Sequence, residues 1–140
     1  MVNKPKYLLD TCVCISMFRN EGRVREMLSS VGTKNCYISE ITVAELYYGL
    51  AKASRKEEKT NDIIRVQKMF KVIPAFSAYK KYGEIRYSLE HVGKRVDQFD
   101  LLIGATAIHH GLTLVTSNTK HFERIEGITI ENWRDNFQTP

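Results

Sequence analysis

Cysteine is scarce in this sequence: three residues in 140, at Cys12, Cys14 and Cys36. An odd count without disulfide-framework spacing points to free thiols in a reducing compartment. Cys12-Val13-Cys14 is no C-x-x-C pair and no second pair completes a zinc site, so plain buried thiols are expected. Long apolar runs are lacking too. The most apolar segment, Leu101 to Ile108, falls far short of the ~20 residues that cross a bilayer. Asp10 ends the short apolar stretch near the start before a signal-peptide core forms. A cytoplasmic protein with no membrane partner is the expectation. No G-x-G-x-x-G or Walker A sequence is present, which removes the common nucleotide-binding motifs. What is there is ordinary for a folded chain: 43% hydrophobic and 26% charged residues. Lys plus Arg number 21 against 16 Asp plus Glu, a net charge of +5 that permits a polyanionic partner without requiring one.

Short apolar runs alternate with longer helical patterns, which predicts an α/β domain with a mainly parallel sheet. Tyr7-Leu8-Leu9 reads as the first strand, halted by Asp10-Thr11, with helices over Val13–Phe18 and Arg23–Ser30. Cys36-Tyr37-Ile38 is the second strand, and Ser39 or Thr42 caps a helix reaching about Ala53. Ser54–Thr60 reads as a charged surface turn, within a region otherwise helical from Lys56 to Lys71. Val72-Ile73 forms a short strand closed by Pro74, Ser77 caps a helix to about His91, and Gly93 breaks it. The helix from Asp97 or Gln98 to His110 has almost no polar face and should be buried. Leu112–Thr116 and Thr129-Ile130 complete about five strands.

In right-handed β-α-β units, strand C-termini and helix N-termini share one sheet edge, where ligands bind. Asp10 ends the first strand, Glu45 lies early in the helix after the second, and Asp97 and Asp100 open the buried helix. Thr116-Ser117-Asn118 follows the fourth strand on the same edge. Two carboxylates ~4 Å apart repel by about 4 kcal/mol at an effective dielectric of ~20. Such a group keeps protons with raised pKa values or takes a hard cation, Mg²⁺ or Mn²⁺, that can act on a phosphodiester. Each acid also has a structural reading. Asp10 and Asp97 or Asp100 fit helix caps, and Thr42-Val43-Ala44-Glu45 fits a capping box.

Four segments in order resemble the PIN-domain ribonuclease family, and in particular the VapC toxins of bacterial type II toxin–antitoxin modules. They are Tyr7-Leu8-Leu9-Asp10-Thr11, Thr42-Val43-Ala44-Glu45-Leu46, Phe99 to Ala107, and Leu114 to Phe122, followed by the closing Gly127-Ile128 to Trp133. The resemblance implies a single PIN-like domain over residues 1–140, a three-layer α/β/α sandwich around a central, mainly parallel sheet. It implies a Mg²⁺-dependent endoribonuclease, with Mn²⁺ as a substitute, that cuts RNA of the tRNA or rRNA class to leave 5′-phosphate and 3′-hydroxyl ends. It further implies a cognate antitoxin protein as partner and a homodimer. By position, Asp10, Glu45 and Asp100 are the catalytic acids and metal ligands. Thr11 and Thr116 are the hydroxyls that orient them.

The sequence departs from the family pattern at three places. Cys12 stands where many members have Asn, Asn118 where many have a fourth acid, and His121 where an Asp is usual. Asn118 could add a neutral ligand and Asp97 a charge, although Asp97 fits a cap better. No motif places His91, His109, His110 or His121 in the chemistry. For holding RNA, Arg86, Lys94 and Arg95 are the candidates, with Lys80 and Lys81 nearby. The other basic cluster, Lys52, Arg55, Lys56 and Lys59, fits a solvated helix face equally well. Tyr47, Tyr48, Tyr79, Tyr82 and Tyr87 could stack on unpaired bases, or form core or a dimer surface. The alternative to an enzyme is a non-catalytic RNA- or protein-binding module on a degraded PIN scaffold, motivated by Cys12 and Asn118.

Overall fold

The computed structural model describes residues 4–135. Strand β1 (Tyr7–Leu9) is buried along its whole length. Tyr7 and Leu9 enter one apolar layer and Leu8 the other, as the two-residue period of a strand requires. A strand covered on both faces is characteristic of a parallel sheet, which explains its uninterrupted apolar sequence. β2 (Cys36–Ser39), β3 (Lys71–Ile73), β4 (Thr113–Val115) and β5 (Ile130–Glu131) join it in the spatial order β3-β2-β1-β4-β5. Every pairing in this sheet is parallel.

Helices α1 (Thr11–Arg19), α2 (Val24–Val31), α3 (Glu40–Lys52) and α4 (Lys56–Met69) carry Val13, Leu28, Leu46 and Val66 into the first layer. Helices α5 (Tyr79–His91), α6 (Gln98–His109) and the short α7 (Thr119–Phe122) carry Leu89, Ile103 and Phe122 into the second. The expected three-layer α/β/α arrangement results. α6 is buried over Leu101 and Ile103 to Ala107, and the Thr106 hydroxyl is satisfied at 2.7 Å by the Leu102 carbonyl. Gly104 admits Ile125 so closely that its Cδ1 lies 2.8 Å from where a Cβ would stand.

Several boundaries differ from the sequence expectation, each for a local reason. α1 begins at Thr11 rather than Val13 because Asp10 itself is the N-cap. Ser39, not Thr42, caps α3, its Oγ accepting the Ile41 N–H at 3.0 Å. Thr42 is buried inside the helix, so no Thr42–Glu45 capping box forms. Lys56 to Thr60 belong to α4, not to a surface turn. Lys56 Nζ donates to the carbonyls of Leu50, Ala51 and Ala53 at 2.9–3.1 Å, and Glu57 and Glu58 complement the helix start. Ser77 does not cap α5. It lies in a 3-10 turn (Ala75–Ala78) and donates back to the Pro74 carbonyl at 2.7 Å. β5 is displaced by one residue because Thr116 N–H pairs with the Glu131 carbonyl. Among the described residues, no helix is long and apolar enough to cross a membrane.

The loop after α1 is clasped to the segment after β5. Arg23 N–H donates to the Trp133 carbonyl at 2.9 Å, and Trp133 packs edge-on against Tyr7. Gly22 has φ +59°, and a Cβ there would run into the Arg134 carbonyl. Gly22→Ala should therefore destabilise the fold by about 2–4 kcal/mol, combining left-handed strain with a backbone clash. Gly93→Ala, at φ +74° with open space around it, should lose only about 1–2 kcal/mol. Urea denaturation of both variants checks the difference.

Candidate functional site

The first site residue is placed by the β1–β4 ladder. Asp10 N–H donates to the Val115 carbonyl at 3.0 Å, so Asp10 and Thr116 emerge side by side. Asp10 is 3% exposed. Its Oδ1 accepts the Thr11 N–H at 2.8 Å and its Oδ2 accepts the Thr116 hydroxyl at 2.8 Å. Thr116 Oγ1 in turn accepts the Asn118 N–H at 3.0 Å, which fixes the hydroxyl's direction. Asp10 is thus held by the Thr116 hydroxyl and by the Thr11 backbone N–H.

Thr11 also joins the second acid to the first. Its hydroxyl makes a short hydrogen bond to Glu45 Oε1 and lies 3.3 Å from Thr42 Oγ1. Glu45 is free for this contact because Ser39 has taken the capping role. Asp100, in the first turn of α6, lies 3.1 Å from His121 Nδ1 through its Oδ2. Asp97 is the α6 N-cap, its Oδ2 accepting the N–H groups of Phe99 (3.1 Å) and Asp100 (3.3 Å). The capping reading of Asp97 therefore holds, although its charge still acts on the acids beside it.

All three acids are pushed above the ordinary carboxylate range, in each case chiefly by burial. For Asp10, hydrogen bonds from Thr116, Thr11 and Cys12 oppose that rise without cancelling it. The charges of Asp10, Asp100 and Asp97 add to the rise at Glu45, and those of Asp10 and Asp97 to the rise at Asp100. The acids thus act on one another, as their common sheet edge requires.

Cys12 occupies the gap beside them. Its Sγ lies 3.6 Å from Asp10 Oδ2, 3.5 Å from Thr116 Oγ1 and 3.4 Å from Ser117 Oγ. Burial and the Asp10 charge push this thiol up, so it stays protonated and donates to the carboxylate. Cys14 and Cys36 are buried thiols as expected, Cys36 pushed up to about 12 by burial. Asn118 is exposed at the start of α7, its backbone rather than its amide tied to the site.

Set beside known proteins, residues 7–128 match the family profile described as PIN domain. The chain belongs to the PIN-domain family. This PIN-domain chain is 36% identical over 131 residues to ribonuclease VapC2 of Rickettsia felis, covering 91% of this chain and 97% of that protein. It is 35% identical over 130 residues to the tRNA(fMet)-specific endonuclease VapC of Shigella flexneri, covering 91% and 98%. Among solved structures, DNA-bound VapBC from Salmonella typhimurium superposes with a TM-score of 0.85 at 32% identity, covering 93% of this chain and 99% of that one. The family resemblance carried by the four motifs is confirmed.

Sequence reasoning about this PIN-domain chain missed two contributors, His121 and Thr42. Both lie within the family segments, but their contacts come from the packing of α7 and α3 against the edge. The first basic cluster is engaged locally: Lys56 on carbonyls, Arg55 with Glu58 at 3.6 Å, and Lys52 over the Tyr48 ring. Arg86, Lys94 and Arg95 instead line one cavity beside Asp97. Tyr47, Tyr48, Tyr79 and Tyr87 are exposed, which removes the core reading for these four.

As to a metal, the donors at the edge are carboxylate oxygens with hydroxyls and one imidazole, a set suited to a hard divalent cation. Among the described residues, no three His, Cys, Asp or Glu side chains stand close enough together to hold a metal ion by themselves.

Because each acid's folded-state pKa lies above its unfolded value, ionisation weakens the metal-free fold above that pKa, and the penalty fades as pH falls through it. Asp100→Asn should therefore melt above the parent in chelator at about pH 8, with the gap narrowing as pH falls and closing below the ordinary carboxylate value of 3.8. Thermal denaturation across that range checks it. A constant gap would show that Asp100 carries no ionisation penalty.

Proposed function

We propose that this chain is a divalent-metal-dependent endoribonuclease, working with Mg²⁺ or Mn²⁺, and the toxin of a type II toxin–antitoxin pair. The observation that carries the reading is the joint anchoring of Asp10 and Glu45 on Thr11, with Asp100 close enough for its charge to act on Glu45. Membership of the PIN family and the ribonuclease names of its relatives support RNA as the substrate, with the tRNA class favoured by the tRNA(fMet)-specific relative. The VapBC complexes among the structural relatives support a cognate antitoxin as partner.

Asp10, Asp100 and Glu45 would hold the cation directly or through water, with Asn118 at the rim. A cation there offsets the charge of the scissile phosphate and makes the attacking water more acidic. The chain's own part is positional. Thr116 and Thr11 aim the Asp10 oxygens, Thr11 aims Glu45, and His121 holds Oδ2 of Asp100. With three acids already above their ordinary range, uncompensated charge draws the cation in. Cys12 and Asn118 do not break this arrangement: the Cys12 thiol donates to Asp10 Oδ2 and the Asn118 N–H to Thr116 Oγ1.

Purified protein should cut RNA with Mg²⁺ or Mn²⁺ and stop in EDTA, and Asp10→Asn or Asp100→Asn should lower the rate roughly 100-fold or more. Intact folding with no cleavage of total RNA under either metal would overturn the reading. Induction should arrest growth, and arrest that survives Asp10→Ala would exclude catalysis as its cause. His121→Ala should weaken Mn²⁺ binding by roughly 10-fold, whereas His121→Asn, whose amide can donate from the place of Nδ1, should retain it. Titration followed by Mn²⁺ spin resonance measures both.

A further inference from the structure

Beside the acidic edge lies a second concavity of about 410 Å³, walled by the C-terminal half of α5, the 93–97 loop and the first turn of α6. It is built in two parts. Leu89 and Leu101, both buried, form an apolar floor with Val96, while Lys94, Arg95 and Gln98 stand exposed at the rim. Arg86 on the same wall is tied to Glu90 at 3.0 Å and to the Tyr82 hydroxyl at 2.8 Å. Among the described residues, Lys94 and Arg95 have no acidic side chain within 4.0 Å. Asp97 is the shared wall. Fixed by its cap contacts, it stands about one helical turn, ~5 Å, from Asp100.

We propose that this cavity is a subsite for one unpaired nucleotide of the RNA, next to the phosphate cut at Asp100. The proposal rests on the nuclease reading above and adds where the strand is gripped. A phosphate alone would need the cations but not the apolar floor. An apolar ligand would need the floor but not the cations. A nucleotide uses both, the base lying over Leu89, Val96 and Leu101 and its phosphates meeting Lys94 and Arg95. The volume falls within the ~300–1,000 Å³ of small-molecule sites. Bases in a duplex are stacked inward, so only a looped-out or single-stranded nucleotide can enter. Gln98 lines the same cavity, its Oε1 accepting from the Tyr82 hydroxyl at 3.4 Å, which leaves its NH₂ group to discriminate among bases.

The test uses full-length protein in an Asp100→Asn background, so that RNA binds without being cut, and fluorescence anisotropy of a short unstructured RNA. Replacing Lys94 and Arg95 together by Ala should reduce the slope of log affinity against log salt by about 1.4, for two lost single-strand phosphate contacts. Gln98→Ala and the cavity-filling Val96→Trp should each weaken binding, Val96→Trp by roughly 10-fold. A single abasic position moved along the RNA should reproduce the Val96→Trp loss at one place, and there Val96→Trp should have no further effect. Gln98 is exposed, so its variant tests the site even if Val96→Trp fails to fold. In the cleavage-competent protein, Gln98→Ala should alter base preference beside the cut while Mn²⁺ affinity stays unchanged. Unchanged affinity, slope and preference in these variants would overturn the subsite, as would equal losses on intact and abasic RNA. Absence of cleavage by the parent with any divalent metal would instead remove the nuclease reading, leaving the binding series to decide the subsite on its own.

Discussion

The hydrogen bond from Asp10 N–H to the Val115 carbonyl continues a ladder in which Leu8 stands opposite Leu114 and Leu9 opposite Val115. All four of those side chains are completely buried, and each contributes about 1.5–3 kcal/mol to keeping that register. A slip by one residue would send Tyr7 and Leu9 into the layer meant for Leu8, and it would part Asp10 from Thr116. Packing and site geometry are therefore held by the same constraint. The core does not merely support the acidic edge. Its alternation decides which residue leaves the sheet at the crevice and which hydroxyl stands beside it.

Held in that way, the carboxylates work against the stability of the free protein. Thr11 and Thr116 satisfy individual oxygens but do not remove the combined effect of burial and like charge. A cation that binds only the folded chain relieves this, and by linkage it adds stability in proportion to the logarithm of its concentration over its dissociation constant. His121 fits the same logic. Its Nδ1 stands 3.1 Å from Asp100 Oδ2, a neighbour that adds no negative charge.

Strands and acids were legible in the sequence because their signals are one-dimensional. An apolar triplet stopped by Asp-Thr has few readings, and α6 announces its burial through a run with no polar face. Caps were less legible because two residues can satisfy one rule. Ser39 and Thr42 both suit a helix start, and the Ser39 cap together with the contact between Thr11 and Glu45 shows that Thr42-x-x-Glu45 is not a capping box. Ser77 precedes a helix as a cap should, yet its hydroxyl turns back to Pro74. His121 was beyond reach for another reason. Its partner Asp100 is 21 residues away, and the angle at which a four-residue helix leaves β4 is written in no local pattern. Likewise, charge alone does not show that Lys56 is occupied by the last carbonyls of α3 while Lys94 has no such partner among the described residues.

The open margins of the sheet are both narrow. β3 spans three residues, begins with exposed Lys71 and is closed by Pro74, and β5 spans only two. Short, charged or proline-ended margins are poor templates for another chain to stack upon, so the folded protein carries its own guard against fibre formation. β4, with fully buried Leu114 and Val115, depends on β5 for that protection. A proteolytic nick that released the segment after α7 would uncover an aliphatic strand and turn a well-behaved protein into a precipitating one.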